Sequence, residues 1–223
     1  MPNDLISQIP LIKEVVSAYG VPIFEKEGFE ADDLIAQLAR KAVLQSLAVT
    51  IVSSDKDILQ LVDKHISVFS PYKDSGVLYD LVKVKERFGV VQERIVDIIA
   101  LMGDAADNIP GVPGIGDKTA QKLILEFGSI NKLLKNIAKV KPPKIKEMIL
   151  EHSQRVKLNQ ELITLDQKLD LDLDLEKAKT GQPDYLRLAS IFKKLEFKKL
   201  LGELPDVAEK TMPTNLHRCN QVE

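Results

Sequence analysis

Gly103-Asp104-Ala105-Ala106-Asp107-Asn108-Ile109-Pro110-Gly111-Val112-Pro113-Gly114-Ile115-Gly116-Asp117-Lys118-Thr119-Ala120 is the stretch at which this 223-residue chain changes character. Four glycines and two prolines fall between Gly103 and Gly116, so that segment reads as loop. The apolar run before it, Gln92 to Met102, reads as a helix. Asp104 and Asp107 thus follow a helix C-terminus, where the helix dipole disfavours acids, so helix stability does not explain them. Two carboxylates three residues apart converge if the segment is tightly turned. The glycines that follow let backbone approach a ligand closely and take positive φ. The helix opening near residue 117 offers N–H groups suited to an anion, with Lys118 and Thr119 beside them. The P-loop spacing fails, because Asp117 stands where the lysine is needed. A purely structural turn before a helix is the competing reading.

Upstream, strands and helices alternate. Residues 9–19 read as an amphipathic helix with Ile9, Ile12, Val15 and Val16 on one face and Gly20 as its cap. Val21 to Glu25 reads as a short strand and Glu30 to Leu44 as a second helix. Ala48 to Val52 has the continuous apolar character of a buried parallel strand. A short helix over Asp55 to Val62, a strand over Ile66 to Phe69 and an edge strand over Gly76 to Leu78 complete the series. Such alternation implies an α/β sheet with crossover connections.

Downstream of residue 80 the pattern is helical: Leu81 to Phe88, then about 117–127, 129–137, 143–164 and 184–195. Leu169 to Leu175 alternates Leu with Asp and reads as half-exposed extended chain. The predicted organisation is 1–103, an α/β core; 104–202, a helical region; and 203–223, a flexible tail. Net charge is −2, yet Lys118 to Lys146 holds eight lysines and one acid, a local +7 that leaves −9 for the rest. An acidic region followed by a basic one suits a metal site beside a phosphate-binding surface. A solvated lysine face is the plainer alternative.

Two further acidic groups lie in the first half. Glu30-Ala31-Asp32-Asp33 opens a helix, where Glu30 and Asp33 share a face; dipole complementation is the alternative account. Ser53-Ser54-Asp55-Lys56-Asp57 follows a strand, the place where α/β sheets collect ligands; a helix cap is the alternative. The three groups supply seven carboxylates: Glu30, Asp32, Asp33, Asp55, Asp57, Asp104 and Asp107. A carboxylate set without His or Cys favours Mg²⁺ or Mn²⁺ over zinc. Two such ions about 4 Å apart can activate water and stabilise a leaving oxygen of a phosphodiester.

Composition sets the outer bounds. At 44% hydrophobic and 29% charged residues, a globular core is expected, built on Leu, Ile, Val and Ala because Trp is absent. One cysteine, Cys219, excludes a disulfide framework and a cysteine zinc site. No apolar run approaches the roughly 20 residues of a membrane span, and the N-terminus does not read as a signal peptide, so a cytoplasmic location without membrane partners is expected.

The order EADD, SSDKD, then GDAADNIPGVPGIGDKTA resembles the 5′–3′ exonuclease domain of bacterial DNA polymerase I and its stand-alone flap endonuclease relatives. The likeness runs from about residue 3 to about residue 202, through Leu195-Glu196-Phe197-Lys198. It implies a PIN-like α/β domain followed by a helix–hairpin–helix DNA-binding region. It also implies metal ligation by the seven carboxylates, with Asp33, Asp55 and Asp57 at the chemistry. Gly111, Val112, Gly114, Ile115, Gly116, Lys118, Thr119 and Lys122 would then hold duplex DNA, in a hairpin that in relatives binds K⁺. The implied activity is structure-specific cleavage of 5′ ends and 5′ flaps in replication and repair. By the same resemblance, a first strand with an Asp, a second Asp and a basic helical arch are expected before residue 3. A truncated chain, acting with a separate N-terminal fragment or a polymerase domain, is therefore expected, and it would associate or lose stability through exposed sheet edges. A DNA-binding module without catalysis and a Mg²⁺ enzyme for small phosphate esters are the alternatives.

Overall fold

The structure, a computed structural model, describes residues 3–71, 76–166 and 173–205. In chain order it begins with α1 (Asn3–Ile6), α2 (Ile9–Ala18) and α3 (Ala31–Leu44), then β1 (Val49–Val52), β2 (Ile66–Ser70) and β3 (Val77–Tyr79). Next come α4 (Leu81–Phe88), α5 (Ile95–Met102) and the two-residue strands β4 (Gly103–Asp104) and β5 (Ile109–Pro110). The rest is helical: α6 (Asp117–Phe127), α7 (Ile130–Lys135), α8 (Pro143–Glu151), α9 (Ser153–Ile163), α10 (Tyr185–Lys194) and α11 (Lys198–Gly202). Two compact units result, residues 26–173 and residues 1–25 with 174–223.

In the larger unit β1 runs parallel to β2, with Val49 opposite Ile66 and Val52 opposite Phe69, and β3 pairs antiparallel on the far side of β2. β2 alternates: Ile66 and Val68 are buried, and Ser67 and Phe69 are not. The connection between the parallel strands includes a 3₁₀ turn over Asp57–Leu61, where a short helix is expected from sequence, and it buries Ile58, Leu59 and Leu61. β1 departs from expectation. Only Ile51 is buried, and Val52 is 65% exposed, because β1 is an edge of this sheet among the described residues. The expected strand over Val21 to Glu25 does not form either; Val21, Ile23 and Phe24 are exposed and no described strand pairs with them. β-prone side chains make a strand only where a neighbour takes up the backbone hydrogen bonds.

The core of this unit centres on α5. Ile95, Ile98, Ile99, Ala100 and Leu101 are fully buried, each of the larger ones worth about 1.5–3 kcal/mol of transfer free energy. Buried Asp97 is tied down within it: its Oδ1 accepts from the Gln160 amide at 2.7 Å and from the Ile130 N–H at 3.3 Å. Burial pushes its carboxyl upward, against these bonds and Arg94. α4 has a full set of end signals. Asp80 accepts from the Lys83 N–H at its start, and Gly89 takes a left-handed φ of 68° at its end. The helix expected over residues 143–164 is two, broken at His152.

The smaller unit packs Ala18, Leu188, Ile191 and Phe192 into its own core. Gly20, at φ +71°, lies so close to Gly181 that a methyl group would strike its carbonyl carbon, and the Gly181 N–H donates to the Gly20 carbonyl at 2.7 Å. Of the extended segment expected over Leu169 to Leu175, residues 169–172 lie outside the described residues, as does the expected tail from residue 206 onward. Among the described residues no helix is long and apolar enough to cross a membrane.

Candidate metal centre and nucleic-acid surface

The acids after β1 are placed by a local turn. The Asp55 N–H donates to Ser53 Oγ at 3.0 Å, and the Asp57 N–H donates to Asp55 Oδ1 at 2.9 Å. These bonds turn the chain off the strand end into the 3₁₀ turn and fix the Asp55 carboxylate there. The third acidic segment is a hairpin: β4 pairs with β5, Asp104 opposite Ile109, and Asn108 takes a φ of 56° to close it. Gly103 and Gly111 make the crossing at its base. A methyl group on Gly111 would collide with the Met102 carbonyl and one on Gly103 with the backbone of Gly111. Asn159 pins the arrangement, its amide donating to the carbonyls of Ala100 and Pro110 at 3.0 Å each.

The result is a triad. Asp55, Asp57 and Asp107 each offer an oxygen within 4.8 Å of the others. They line a cleft of about 290 Å³ together with Glu30, Asp32 and the apolar residues Ile109, Leu162, Ile163 and Leu165. An adjoining cleft of about 430 Å³ is lined by Asp32, Ser53, Ser54, Asp55, Lys56, Arg87, Asp104 and Ala106. Asp32 and Asp55 thus border both. Asp104 is buried and engaged: its Oδ2 meets Lys56 Nζ at 2.7 Å and its Oδ1 accepts from the Ala106 N–H at 3.0 Å. Asp33 lines neither cleft, and its carboxylate accepts from the Asp166 N–H at 2.7 Å.

Six of the seven carboxylates therefore converge, and their charge is poorly compensated. Burial, then Asp55, Asp104 and Asp107, push the Asp57 carboxyl up to about 7. Burial and neighbouring acids also raise Asp32 and Asp107. Asp57 Oδ1 is buried with no hydrogen-bond partner, a state that ordinarily costs about 1–3 kcal/mol. An orphaned carboxylate oxygen facing two further carboxylates fits a hard divalent cation.

The glycine-rich turn leads into α6. Gly116 stands at the helix N-cap with no side-chain cap; the Thr119 and Ala120 N–H groups donate to its carbonyl, and those of Asp117 and Lys118 have no backbone acceptor among the described residues. Gly114, at φ +78°, has open space around it. Lys118 and Lys122 are exposed and Thr119 is half-buried. The Val112 and Ile115 side chains are buried, the Val112 N–H donates to the Leu101 carbonyl and the Ile115 N–H to that of Val112. They anchor the hairpin to the core. None of the eight lysines from Lys118 to Lys146 makes a salt bridge among the described residues, which leaves a positive surface open.

Three residues of the site escape a reading of the sequence. Lys56 sits inside the SSDKD motif, and its position between acids is the available signal. Arg87 reaches the second cleft from α4, and no motif marks it. Gln60 donates to the carbonyls of Asp57 and Ile163 at 2.9 Å and accepts from the Leu165 N–H, joining the acidic turn to the end of α9.

Residues 1–89 match the 5′–3′ exonuclease N-terminal resolvase-like domain, and residues 90–186 match the 5′–3′ exonuclease C-terminal SAM fold. The 5′–3′ exonuclease of Aquifex aeolicus is 37% identical over 206 residues, covering 92% of this chain and 69% of that protein. The chain belongs to the 5′–3′ exonuclease family. Within this family it is also similar to the thermostable DNA polymerase I of Thermus aquaticus, 42% identical over 202 residues and 91% of this chain. It spans 24% of that polymerase, and 20% of the DNA polymerase I of Rhizobium leguminosarum. Among solved structures, T5 5′-exonuclease with bound divalent metal ions (zinc) superposes with a TM-score of 0.60 at 26% identity, covering 79% of this chain and 62% of that one. The catalytic core of Rad2 in complex with a DNA substrate shares the fold, with a TM-score of 0.61 at 18% identity, 92% of this chain and 72% of that one. The α/β-then-helical architecture read from the sequence is that of the 5′–3′ exonuclease family.

Proposed function

We propose that this chain is a divalent-metal-dependent nuclease that hydrolyses phosphodiesters at 5′ ends and 5′ flaps of DNA. The observation that carries the reading is the unpartnered, buried Asp57 Oδ1 within the carboxylate triad. Asp55, Asp57 and Asp107 would hold the ion, with Glu30 and Asp32 lining the same cleft; Mg²⁺ is the expected species and Mn²⁺ its substitute. Such an ion, when bound, supplies Lewis-acid activation of the phosphodiester and of the attacking water. The chain's own residues do the rest. Asp32 and Asp55, which border both clefts, are the ones placed to serve a second ion. Asp104, paired with Lys56, lines the second cleft, and Ile109, Leu162, Ile163 and Leu165 give the first cleft an apolar part of its lining. Asp33 we assign to fixing the chain at Asp166.

Gly111, Gly114, Gly116, Lys118, Thr119 and Lys122, with the N-terminus of α6, grip duplex backbone, and Val112 and Ile115 support them from below. Such contacts read phosphate and shape in place of base sequence. The division proposed near residue 103 leaves Asp104 and Asp107, on the hairpin just beyond it, in the cleavage site, and assigns duplex binding to the helical region that follows. A K⁺ ion at the hairpin and a polymerase partner belong to the same proposal, as does a cytoplasmic location. The test is cleavage of a 5′-labelled flap duplex with Mg²⁺ or Mn²⁺. Metal-dependent release of the flap, abolished by EDTA and by the Asp104→Ala, Asp107→Ala double substitution, is expected. Binding of the duplex without cleavage in either metal would reduce the chain to a DNA-binding module and refute the enzymatic reading.

A further inference from the structure

Arg87 is held in place without being neutralised. Arg40, Arg94 and Arg187 each face a carboxylate, of Asp63, Asp97 and Glu14. Arg87 faces none among the described residues: its Nη1 donates to the Tyr79 hydroxyl at 2.6 Å, and its guanidinium lies over the rings of Tyr79 and Phe88 at 5.3 and 5.2 Å. Aromatic faces orient a cation but leave its charge in being. A guanidinium carries five donors in a planar fork, and the tyrosine hydroxyl takes one. Arg87 lines the second cleft together with Asp32, Asp55 and Asp104, and Asp55 is shared with the metal triad. Ser53, Ser54 and Lys56, the last paired with Asp104, line the same cleft.

We propose that Arg87 is a backbone-phosphate anchor, taking a phosphate of the DNA strand that neighbours the one at the acidic centre. This rests on the nuclease reading above. The geometry favours a polyanion over a small one. A strand crossing both clefts places one phosphate against the acids, through the ion, and presents another to a pre-oriented guanidinium with no described counter-charge of its own. Bidentate recognition of phosphate is what such a fork does best. The contact carries no base preference. Tyr79 is a positioning residue that keeps the fork turned to the cleft.

The alternative is that Arg87 merely covers Tyr79 and Phe88 with its stem. Steady-state cleavage of a flap duplex in Mg²⁺, measured across a salt series, separates the two. Arg87→Gln should raise KM about tenfold and flatten the slope of log(kcat/KM) against log[salt] by about 0.9, the change that follows when one phosphate is no longer neutralised. Arg87→Lys, which restores charge but not the fork, should recover the salt slope and only part of the KM. Thermal melting of both variants should match the parent chain. Parent KM and slope in Arg87→Gln would overturn the anchor while leaving the nuclease intact. Equal damage in Gln and Lys variants, with lowered melting temperatures, would assign Arg87 to packing and overturn it too. A parent chain that shows no metal-dependent cleavage would remove the nuclease reading and the anchor with it.

Discussion

Asp57 should be destabilising in the metal-free protein, and replacing it should make the fold stronger while destroying the metal site. The residue is 8% exposed, its Oδ1 has no partner, and Asp55, Asp104 and Asp107 crowd it. The shift from 3.8 to about 7 sets a ceiling of about 4 kcal/mol on the cost of ionising it in the fold. Solvent at the cleft mouth screens part of that, so about 1–2 kcal/mol is the working expectation for Asp57→Asn at pH 8. The sign follows from linkage. The folded pKa lies above the unfolded one, so between about pH 4 and 7 the folded chain binds more protons and its stability falls as pH rises. The advantage of Asp57→Asn should therefore be absent near pH 4, grow towards pH 7 and stay constant above it. Urea unfolding in EDTA across that range measures it. An Asn variant that is less stable than the parent at pH 8, or an advantage that does not change with pH, would refute the reasoning.

Other outcomes follow from the same geometry. Saturating Mn²⁺ or Mg²⁺ should stabilise the parent by about 2.7 kcal/mol at a hundredfold excess over Kd, read as a rise in melting temperature that Asp57→Asn does not show. Lys118→Ala with Lys122→Ala should weaken duplex binding uniformly across sequences and flatten its salt slope by about 0.9 for each phosphate left unneutralised, measured by anisotropy at several ionic strengths. Asn159→Ala leaves the Ala100 and Pro110 carbonyls without their donor inside the fold and should cost about 2–4 kcal/mol in urea unfolding, with weaker metal binding as the β4–β5 turn loosens.

Much of this fold can be read from local pattern. α4 and α6 lie where periodicity and glycine caps put them, because their end signals are local: Asp80 and Gly89 for one, Gly116 and Gly128 for the other. The failures are tertiary in origin. The apolar run at Ala48 to Val52 reads as buried, but burial depends on neighbours, and β1 lies at a sheet edge among the described residues. Val21 to Glu25 has strand composition without a described partner strand. The acidic groups are visible as clusters, yet which carboxylates meet is set by turns: the Ser53–Asp57 turn and the Asn108 turn bring three together, and the bond to Asp166 draws Asp33 aside. Val112 and Ile115 sit in a ligand-like motif, and only packing shows that they face inward. Arg87 has no signal at all, since its partners, Tyr79 and the second cleft, are assembled by the fold.

The central claim is that the carboxylate triad holds a divalent ion, and anomalous diffraction from Mn²⁺-soaked crystals of this chain tests it most directly. A peak about 2 Å from oxygens of Asp55, Asp57 and Asp107, abolished in Asp57→Asn, is the expected result. Ordered carboxylates with no peak at saturating Mn²⁺, or a peak at other residues alone, would contradict the account.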